Sequence, residues 1–496
     1  MSSNNLHILS KSTFVRGCIC KKSLWLSKHR RDLIPPTPAG QQFIFDQGHE
    51  VGKLARQLFP GGVDASSATP FDYQPSLELT QKLIAEDRHV IYEAAFQHDG
   101  VLAALDILVK KEDGWHAFEV KSSTKVADIN VTDAALQYWV MQNSGLKLQD
   151  ISIIHINNEY ERTGEIEPEK LFKTESILYL VLALQDEITE QVKELKRVAM
   201  DKSCPVVPNG KQCTTPWACS FKDHCWNESK VPDESILDFD LYRKEERFKL
   251  FHSGIKQIAD VPNWELLKVP YNYVVEAHRN KGIYVDDIQL KKFMEGITYP
   301  IYFMDFETVR FAVPKFNNSY PYEQIPNQYS IHVLDNENAE PVHLSYLADP
   351  AKEFRMDFTE TLLKDLGNNG TILVYNVSFE RSRLKMLAFL FPQYESQINS
   401  VIERLLDLAF PFQKKFFYDH KFSCSYSIKD VLPVLAPDLS YKNLTVNNGD
   451  DASIIFMKMM EEPDKDWSAE RKNLLEYCGL DTWAMVRIFR YLNTIV

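Results

Sequence analysis

The sequence has no uninterrupted run of about 18–20 apolar residues, the length a membrane-spanning helix requires. The apolar stretch Ile177–Leu184 is too short and sits among charges. Met1-Ser2-Ser3-Asn4-Asn5 carries no apolar signal-peptide core, so a cytoplasmic location is expected. Glycine and proline are sparse, 18 and 24 of 496 residues, too few for a fibrous or disordered chain. Positive charge is also short: 56 Lys and Arg stand against 69 Asp and Glu, a formal net charge of −13. The broad basic face of a sequence-independent duplex binder is therefore not advertised. A local basic groove remains compatible with that balance, because metal-site carboxylates lower the total. The eight cysteines include no CxxC pair. In a reducing compartment, clustered cysteines point to metal or catalysis and not to disulfides.

What is present suffices for more than one core. Hydrophobic types make up 44% of the chain, and one core rarely grows past roughly 250 residues. Residues 11–31 carry Lys11, Arg16, Lys21, Lys22, Lys28, Arg30 and Arg31 before the first acid, Asp32. Such a run reads as a solvated helix face or as a phosphate-contacting one. Pro35, Pro36 and Pro38 end it, and a helix over 43–58 follows and stops at Pro60-Gly61-Gly62. Strands are expected at Val90–Phe96, Val101–Val109 and Trp115–Lys121, separated by His98-Asp99-Gly100 and Glu112-Asp113-Gly114. A helix at 131–143 and a strand at Ile151–Asn157 complete an α-β-β-β-α-β order. An amphipathic helix fits 174–199. Residues 231–295 read as charged helices and as a linker. From Tyr299 the pattern restarts, with strands at Ile301–Phe306, Tyr329–Leu334, Val342–Leu347 and Ile372–Tyr375. Helices are expected at 351–366, from Ser378, and at 468–493. The expectation is an α/β chain of two domains, 1–230 and 296–496.

Three constellations carry chemistry. In the first, Glu119-x-Lys121 puts two side chains on one strand face, because strands have period two. Asp106 comes from the adjacent strand. Two carboxylates can hold Mg²⁺ through oxygen, and a lysine can stabilise charge developing on a scissile phosphate. With the strand order and Gln137-Tyr138 on the next helix, this segment resembles the RecB-like branch of the PD-(D/E)XK nucleases. The resemblance implies a restriction-endonuclease-like core with Asp106, Glu119, Lys121 and Gln137 at the site. That branch usually carries a His four residues after a Gly on the first helix. Here Gly48 is followed at that spacing by Gly52, with His49 and Glu50 between, and Glu50 is a possible extra ligand.

The second constellation is Cys213, Cys219 and Cys225, with Pro216, Trp217, Phe221 and Trp226 between and beside them. Thiolates this close suit an iron–sulfur cluster or zinc. A fourth ligand must come from elsewhere. With Cys20 early in the chain, the arrangement resembles cluster-bearing RecB-like nucleases, including CRISPR-adaptation nucleases and the AddB subunit. It implies a [4Fe–4S] cluster on Cys20, Cys213, Cys219 and Cys225, with zinc as the alternative metal and Cys18 and Cys204 as rival ligands. Cys424 and Cys478 read as ordinary buried thiols.

The third constellation is Asp305-Phe306-Glu307 at the end of an apolar strand and Tyr477-x-x-x-Asp481 on a helix. The i, i+4 spacing stacks Tyr477 and Asp481 on one helix face. Glu380 follows Asn376 and Phe379 after a strand-to-helix turn. Convergent carboxylates suit two divalent ions acting at phosphorus. The three motifs resemble the tyrosine subtype of the DEDD (DnaQ-like) 3′–5′ exonucleases, of RNase H-like fold. The second motif of that family normally ends in Asp, which Glu380 replaces; Asp407 is the rival acid and Asp451 a weaker one.

The whole chain resembles a bacterial family that fuses a RecB-like nuclease with a cysteine cluster to an exonuclease-like domain. Cys20…Leu24-Trp25, Phe59-Pro60-Gly61-Gly62, Asp305-Phe306-Glu307 and Ser425-Tyr426-Ser427-Ile428-Lys429 carry the likeness. It implies a Mg²⁺- or Mn²⁺-dependent nuclease acting on DNA ends in repair, recombination or defence. The alternatives are a decayed nucleic-acid-binding scaffold that recruits a helicase, and an RNA exonuclease. No membrane partner is expected.

Overall fold

The computed structural model describes residues 8–36, 39–67, 69 and 72–496; Met1–Asn5 and Pro38, used above, lie outside that set. The chain is mixed α/β and divides into two compact units. The first is Met1–Ser229 with Phe311–Glu323, the second Lys230–Arg310 with Gln324–Val496. No described helix is long and apolar enough to cross a membrane.

The first unit is built on seven strands: β1 (Leu9–Ser10), β2 (Val63–Asp64), β3 (Val90–His98), β4 (Val101–Lys111), β5 (Gly114–Lys121), β6 (Leu148–Ile156) and β7 (Phe172–Ser176). The order is β2-β3-β4-β5-β6-β7, with β1 also paired to β4. The expected meander is β3-β4-β5, all antiparallel. Asp99 and Gly100 connect β3 to β4 with φ of 45° and 72°, the doubly left-handed two-residue turn that matches strand twist. The helix Asp128–Asn143 then crosses to β6, which is parallel to β5. Its Ala134, Leu136, Val140 and Met141 share a core with Leu105, Ala117 and Ile153. The opposite face packs Val51 and Ala55 against Ile107, Phe118 and Ile154.

The strands β3 and β4 exchange faces midway. Ala94 and Leu105 lie in the first core, whereas Tyr92 and Ile107 lie in the second. The break falls at Glu93, which has φ of 53°; Glu93 and Asp106 are the two positions between the pairs Tyr92–Ile107 and Ala94–Leu105. A left-handed non-glycine residue inside a strand is uncommon and worth a functional reading. One expectation differs: residues 174–199 are not one helix. Phe172–Ser176 pair as an edge strand with β6, and helices Leu178–Ala183 and Gln185–Met200 follow. The alternation Phe172-Lys173-Thr174-Glu175 suits an edge strand, but only β6 makes it one.

In the second unit β8 (Ile283–Val285) pairs antiparallel with β14 (Phe417–Asp419). The main sheet has β9 (Ile301–Val309), β10 (Ile325–Leu334), β11 (Val342–Leu347), β12 (Thr371–Val374) and β13 (Leu405–Asp407), in the order β11-β10-β9-β12-β13. β9, β10 and β11 are antiparallel neighbours, and β12 and β13 extend the sheet in parallel. β9 is buried on both sides, which is why its sequence reads as a near-continuous apolar run. Tyr302, Met304 and Phe306 pack with Phe358 and Leu362 of the helix Arg355–Leu366. Phe303 points the other way, edge-on to Phe489 of the final helix Ser468–Asn493. Asp305 and Glu307 share the parity of Phe303 and therefore face that helix. Residues 231–295, read as a linker, lie inside this unit. They contain helices Lys244–His252, Tyr271–Asn280 and Asp287–Glu295 in addition to β8.

Candidate functional site

Among the described residues, the second unit holds a converging set of three acids. One carboxylate oxygen from each of Asp305, Glu307 and Asp481 lies within 4.8 Å of the other two. Glu307 and Asp481 are buried. Burial drives all three carboxyls toward the protonated form, and the charge of Asp481 pushes Asp305 and Glu307 further up. The cluster is thus short of positive charge. Glu380, at the start of the helix Val377–Leu390, stands outside the triad but adds its charge to the field on Asp305. It is 1% exposed, and its Oε2 has no hydrogen-bond partner. Burial, with the charge of Asp407, lifts its carboxyl to about 8.

Asp407, the rival acid, is occupied differently. Its Oδ1 accepts from the backbone N–H of Asn376 (3.0 Å) and Ala409 (2.9 Å), and Oδ2 from Val377 (3.1 Å). The Asn376 and Val377 donors are orphans at the start of Val377–Leu390, so Asp407 acts as a remote cap for that helix, and its bond to Ala409 is a local turn. Asp451 is also engaged in capping, since its N–H donates to Asn448 at the start of the helix Gly449–Glu461.

Sequence reasoning missed Tyr441. Its hydroxyl donates to Asp481 Oδ1 at 2.6 Å, and its ring lies edge-on to Tyr477 with centroids 6.3 Å apart. Tyr477 also lies beside Asp481 and, with Tyr441, holds its carboxyl down against burial. Lys429, noted above only as part of a shared motif, sits 5.7 Å from the Tyr441 ring centre and 5.8 Å from that of Tyr477. Its charge opposes the upward drift of Glu307 and Asp481. Tyr441 follows no spacing rule relative to the motifs, so only the fold could reveal it. Cys478 is buried with Sγ 3.9 Å from Asp305 Oδ2, and burial first, then the acids around it, holds its thiol well above the ordinary range.

In the first unit Glu119 is the hub. Its Oε1 takes Lys11 Nζ at 2.5 Å and Lys121 Nζ at 2.7 Å, while Oε2 accepts from Gln137 Nε2 at 2.7 Å. Lys121 also reaches Asp133 Oδ2 at 2.8 Å. Burial would raise Glu119, but Lys11 and Lys121 together outweigh it and hold the carboxylate ionised. Asp106 Oδ2 accepts from the Val120 N–H at 2.6 Å. Burial and the charge of Glu119 push Asp106 up. Glu93, whose charge also raises Asp106, is itself raised by burial and paired with Arg56 at 2.9 Å. Glu93 and Asp106 line one cleft with Gly48, His49, Glu50, Lys53 and Arg56. Glu50 therefore lies at the same cleft as Asp106. Lys11, Asp133 and Glu93 were not anticipated as site residues.

The basic run is largely ion-paired. Besides Lys11, Lys21 pairs with Glu194 and Lys22 with Glu228, both at 2.5 Å, and Arg30 with Asp32 at 2.8 Å. Next to it, Cys20, Cys213, Cys219 and Cys225 line one enclosed pocket with Lys22, Ser23 and Phe221. Cys18 lies elsewhere, its thiol 3.1 Å from Gln191 Oε1, and Cys204 is not among the lining residues. Cys424 is buried against Tyr418.

Residues 302–427 match a family model described as Domain of unknown function (DUF2779). That span contains Asp305, Glu307, Glu380 and Asp407 and ends before Lys429, Tyr441, Tyr477 and Asp481. The chain is 28% identical to the uncharacterized protein MG366 homolog of Mycoplasma pneumoniae over 237 residues, 44% of this chain and 35% of that protein. It is 26% identical to the uncharacterized protein UU173 of Ureaplasma parvum over 261 residues, 48% and 37% of the two chains. It is also 26% identical to the uncharacterized protein MG366 of Mycoplasma genitalium over 218 residues, 40% and 32%. The matched part of the chain spans about a third of the length of these curated relatives.

Proposed function

We propose that the chain is a metal-dependent nuclease that hydrolyses phosphodiester bonds of DNA, with a 3′–5′ exonuclease site of the DEDD type in the second unit. The observation that carries this reading is the convergence of Asp305, Glu307 and Asp481. Three buried carboxylates that raise one another are stable together when divalent cations supply the missing charge. The oxygen-only donor set suits Mg²⁺ or Mn²⁺. Bound there, such ions activate a water and stabilise the leaving oxygen of an in-line displacement. Asp305, Glu307 and Asp481 would hold the ions, and Glu380 would join them once its proton is displaced. Tyr441 fixes one oxygen of Asp481, and Tyr477 is positioned to orient the attacking water. The sheet order, three antiparallel strands extended by two parallel ones, supports an RNase H-like fold.

For the first unit we propose a RecB-like PD-(D/E)XK site with Asp106 and Glu119 as ligands, Lys121 as the phosphate-facing cation and Gln137 holding Glu119. One observation favours a second reading, in which this unit binds nucleic acid without cutting it: Lys11 already neutralises Glu119. The shared pocket of Cys20, Cys213, Cys219 and Cys225 supports a [4Fe–4S] cluster, with zinc as the alternative metal. The cluster would close the unit as a staple. Protein purified without oxygen is then brown, and a colourless protein carrying one equivalent of zinc contradicts the cluster.

The test is a panel of end-labelled single- and double-stranded DNA and RNA with Mg²⁺ or Mn²⁺. Asp305→Asn removes 3′–5′ digestion of single strands, and Glu119→Gln removes only cleavage by the first site. Undiminished digestion by Asp305→Asn refutes the assignment. Binding without cleavage under every metal supports a scaffold, and selective loss of RNA supports an RNA exonuclease.

A further inference from the structure

Away from the acid triad, the second unit gathers one more set of metal-ligating side chains. Glu234 precedes the short turn Ile236–Asp238, His278 lies in the helix Tyr271–Asn280, and His420 opens the turn that follows β14. One ligand atom from each lies within 4.8 Å of the other two. His278 Nδ1 is 2.6 Å from Glu234 Oε2, and His420 Nδ1 is 3.2 Å from Glu234 Oε1. Two rings thus address the two oxygens of one carboxylate. His278 is fully buried, and its far nitrogen, Nε2, is 2.8 Å from the Tyr418 hydroxyl. That hydroxyl also accepts the Cys424 N–H at 3.1 Å and lies 3.5 Å from Cys424 Sγ. A metal-bound imidazole typically hands its second N–H to a fixed acceptor, which sets tautomer and ring orientation. Tyr418 is built to be that acceptor.

We infer that Glu234, His278 and His420 form a binding site for a divalent transition metal of the zinc class. Two imidazole nitrogens and one carboxylate match zinc, cobalt or nickel, and disfavour Mg²⁺, which takes oxygen ligands. Three protein ligands leave a fourth position for water, on the side where Glu234 and His420 are partly open to solvent. With the carboxylate as acceptor, the metal-free His278 carries its hydrogen on Nδ1. Loading moves that hydrogen to Nε2, with no net proton gained or lost by the ring. Nε2–H then donates to the Tyr418 oxygen, whose own hydrogen turns to Cys424 Sγ. Lys281, 2.7 Å from Glu234 Oε1 and 59% exposed, swings into solvent as the metal takes its place. The ion pins three segments far apart in sequence, so its binding energy adds to the stability of the unit.

The test uses the full chain, stripped with chelator and held in excess Mg²⁺ to fill the oxygen sites, then titrated with Co²⁺ and Zn²⁺. The wild type takes up one equivalent more than a Glu234→Gln/His420→Ala double variant. The Co²⁺ absorption lost in the variant is a d–d band with no thiolate charge transfer, which separates it from metal on the cysteines. Equal uptake and equal spectra overturn the site. A second measurement needs no variant: histidine C2 hydrogen–deuterium exchange on the wild type, read by mass spectrometry. Zn²⁺ slows exchange at His420, and exchange at His420 that ignores Zn²⁺ overturns the inference as well.

Discussion

Glu380→Gln separates the energetics of the second acid site from its chemistry. In the metal-free protein Glu380 is buried with one oxygen unpartnered, and burial pushes its carboxyl up to about 8 from an ordinary 4.5. Below 4.5 the folded and unfolded chains both hold the proton, so the group contributes no pH dependence. Between 4.5 and about 8 the unfolded chain releases the proton and the folded chain keeps it, so stability falls as pH rises. At about 1.4 kcal/mol per pH unit the full loss approaches about 5 kcal/mol by pH 8–9. Glutamine is neutral throughout and keeps the shape. The variant and the wild type should therefore unfold alike at pH 4.5. By pH 9, in chelator, the variant should be the more stable, by on the order of 10 °C in the melting temperature of the second unit. Differential scanning calorimetry across pH reads this directly. Mn²⁺ at pH 9 should raise the wild type more than the variant, because the metal favours the ionised carboxylate. Parallel pH profiles for the two proteins would refute the reasoning.

Tyr441→Phe removes a charge-assisted hydrogen bond to Asp481, of the kind worth roughly 1.5–3 kcal/mol. Asp481 then titrates higher, and the acid limb of single-strand digestion should move up by about 1–2 pH units; an unmoved limb contradicts the role given to Tyr441. Lys11→Met leaves Glu119 with only Lys121 as cation, so the melting temperature in chelator should fall and Mn²⁺ should recover more of it than in the wild type. A variant indifferent to Mn²⁺ would show that Lys11 does not stand in for a metal. Asp407→Ala exposes three backbone donors and should cost about 2 kcal/mol. It should leave the Mn²⁺ dependence of digestion unchanged; a raised Mn²⁺ requirement would make Asp407 a ligand.

Much of the scaffold was legible because it is encoded locally. The turn His98-Asp99-Gly100, the apolar run at Ile301–Phe306 and the helical period over 468–493 each specify their element within one window of sequence. The structure places β3, β9 and the final helix within a few residues of those expectations. The elements that escaped are short or at edges. β7, β8 and β13 have five residues or fewer and become strands only by pairing with partners distant in sequence.

For the sites, the sequence by itself determined which side chains share a face. Glu119 with Lys121, Asp305 with Glu307 and Tyr477 with Asp481 follow from periods of two and 3.6, which are properties of the backbone. The tertiary structure alone decided what meets those faces. It brought Lys11 to Glu119 across 108 positions and Tyr441 to Asp481 across 40, and it turned Asp407 toward a helix start. It also assembled Glu234, His278 and His420 from segments that share no motif. The physical reason is that local periodicity fixes direction, whereas proximity between distant segments is settled by how whole faces bury their apolar area.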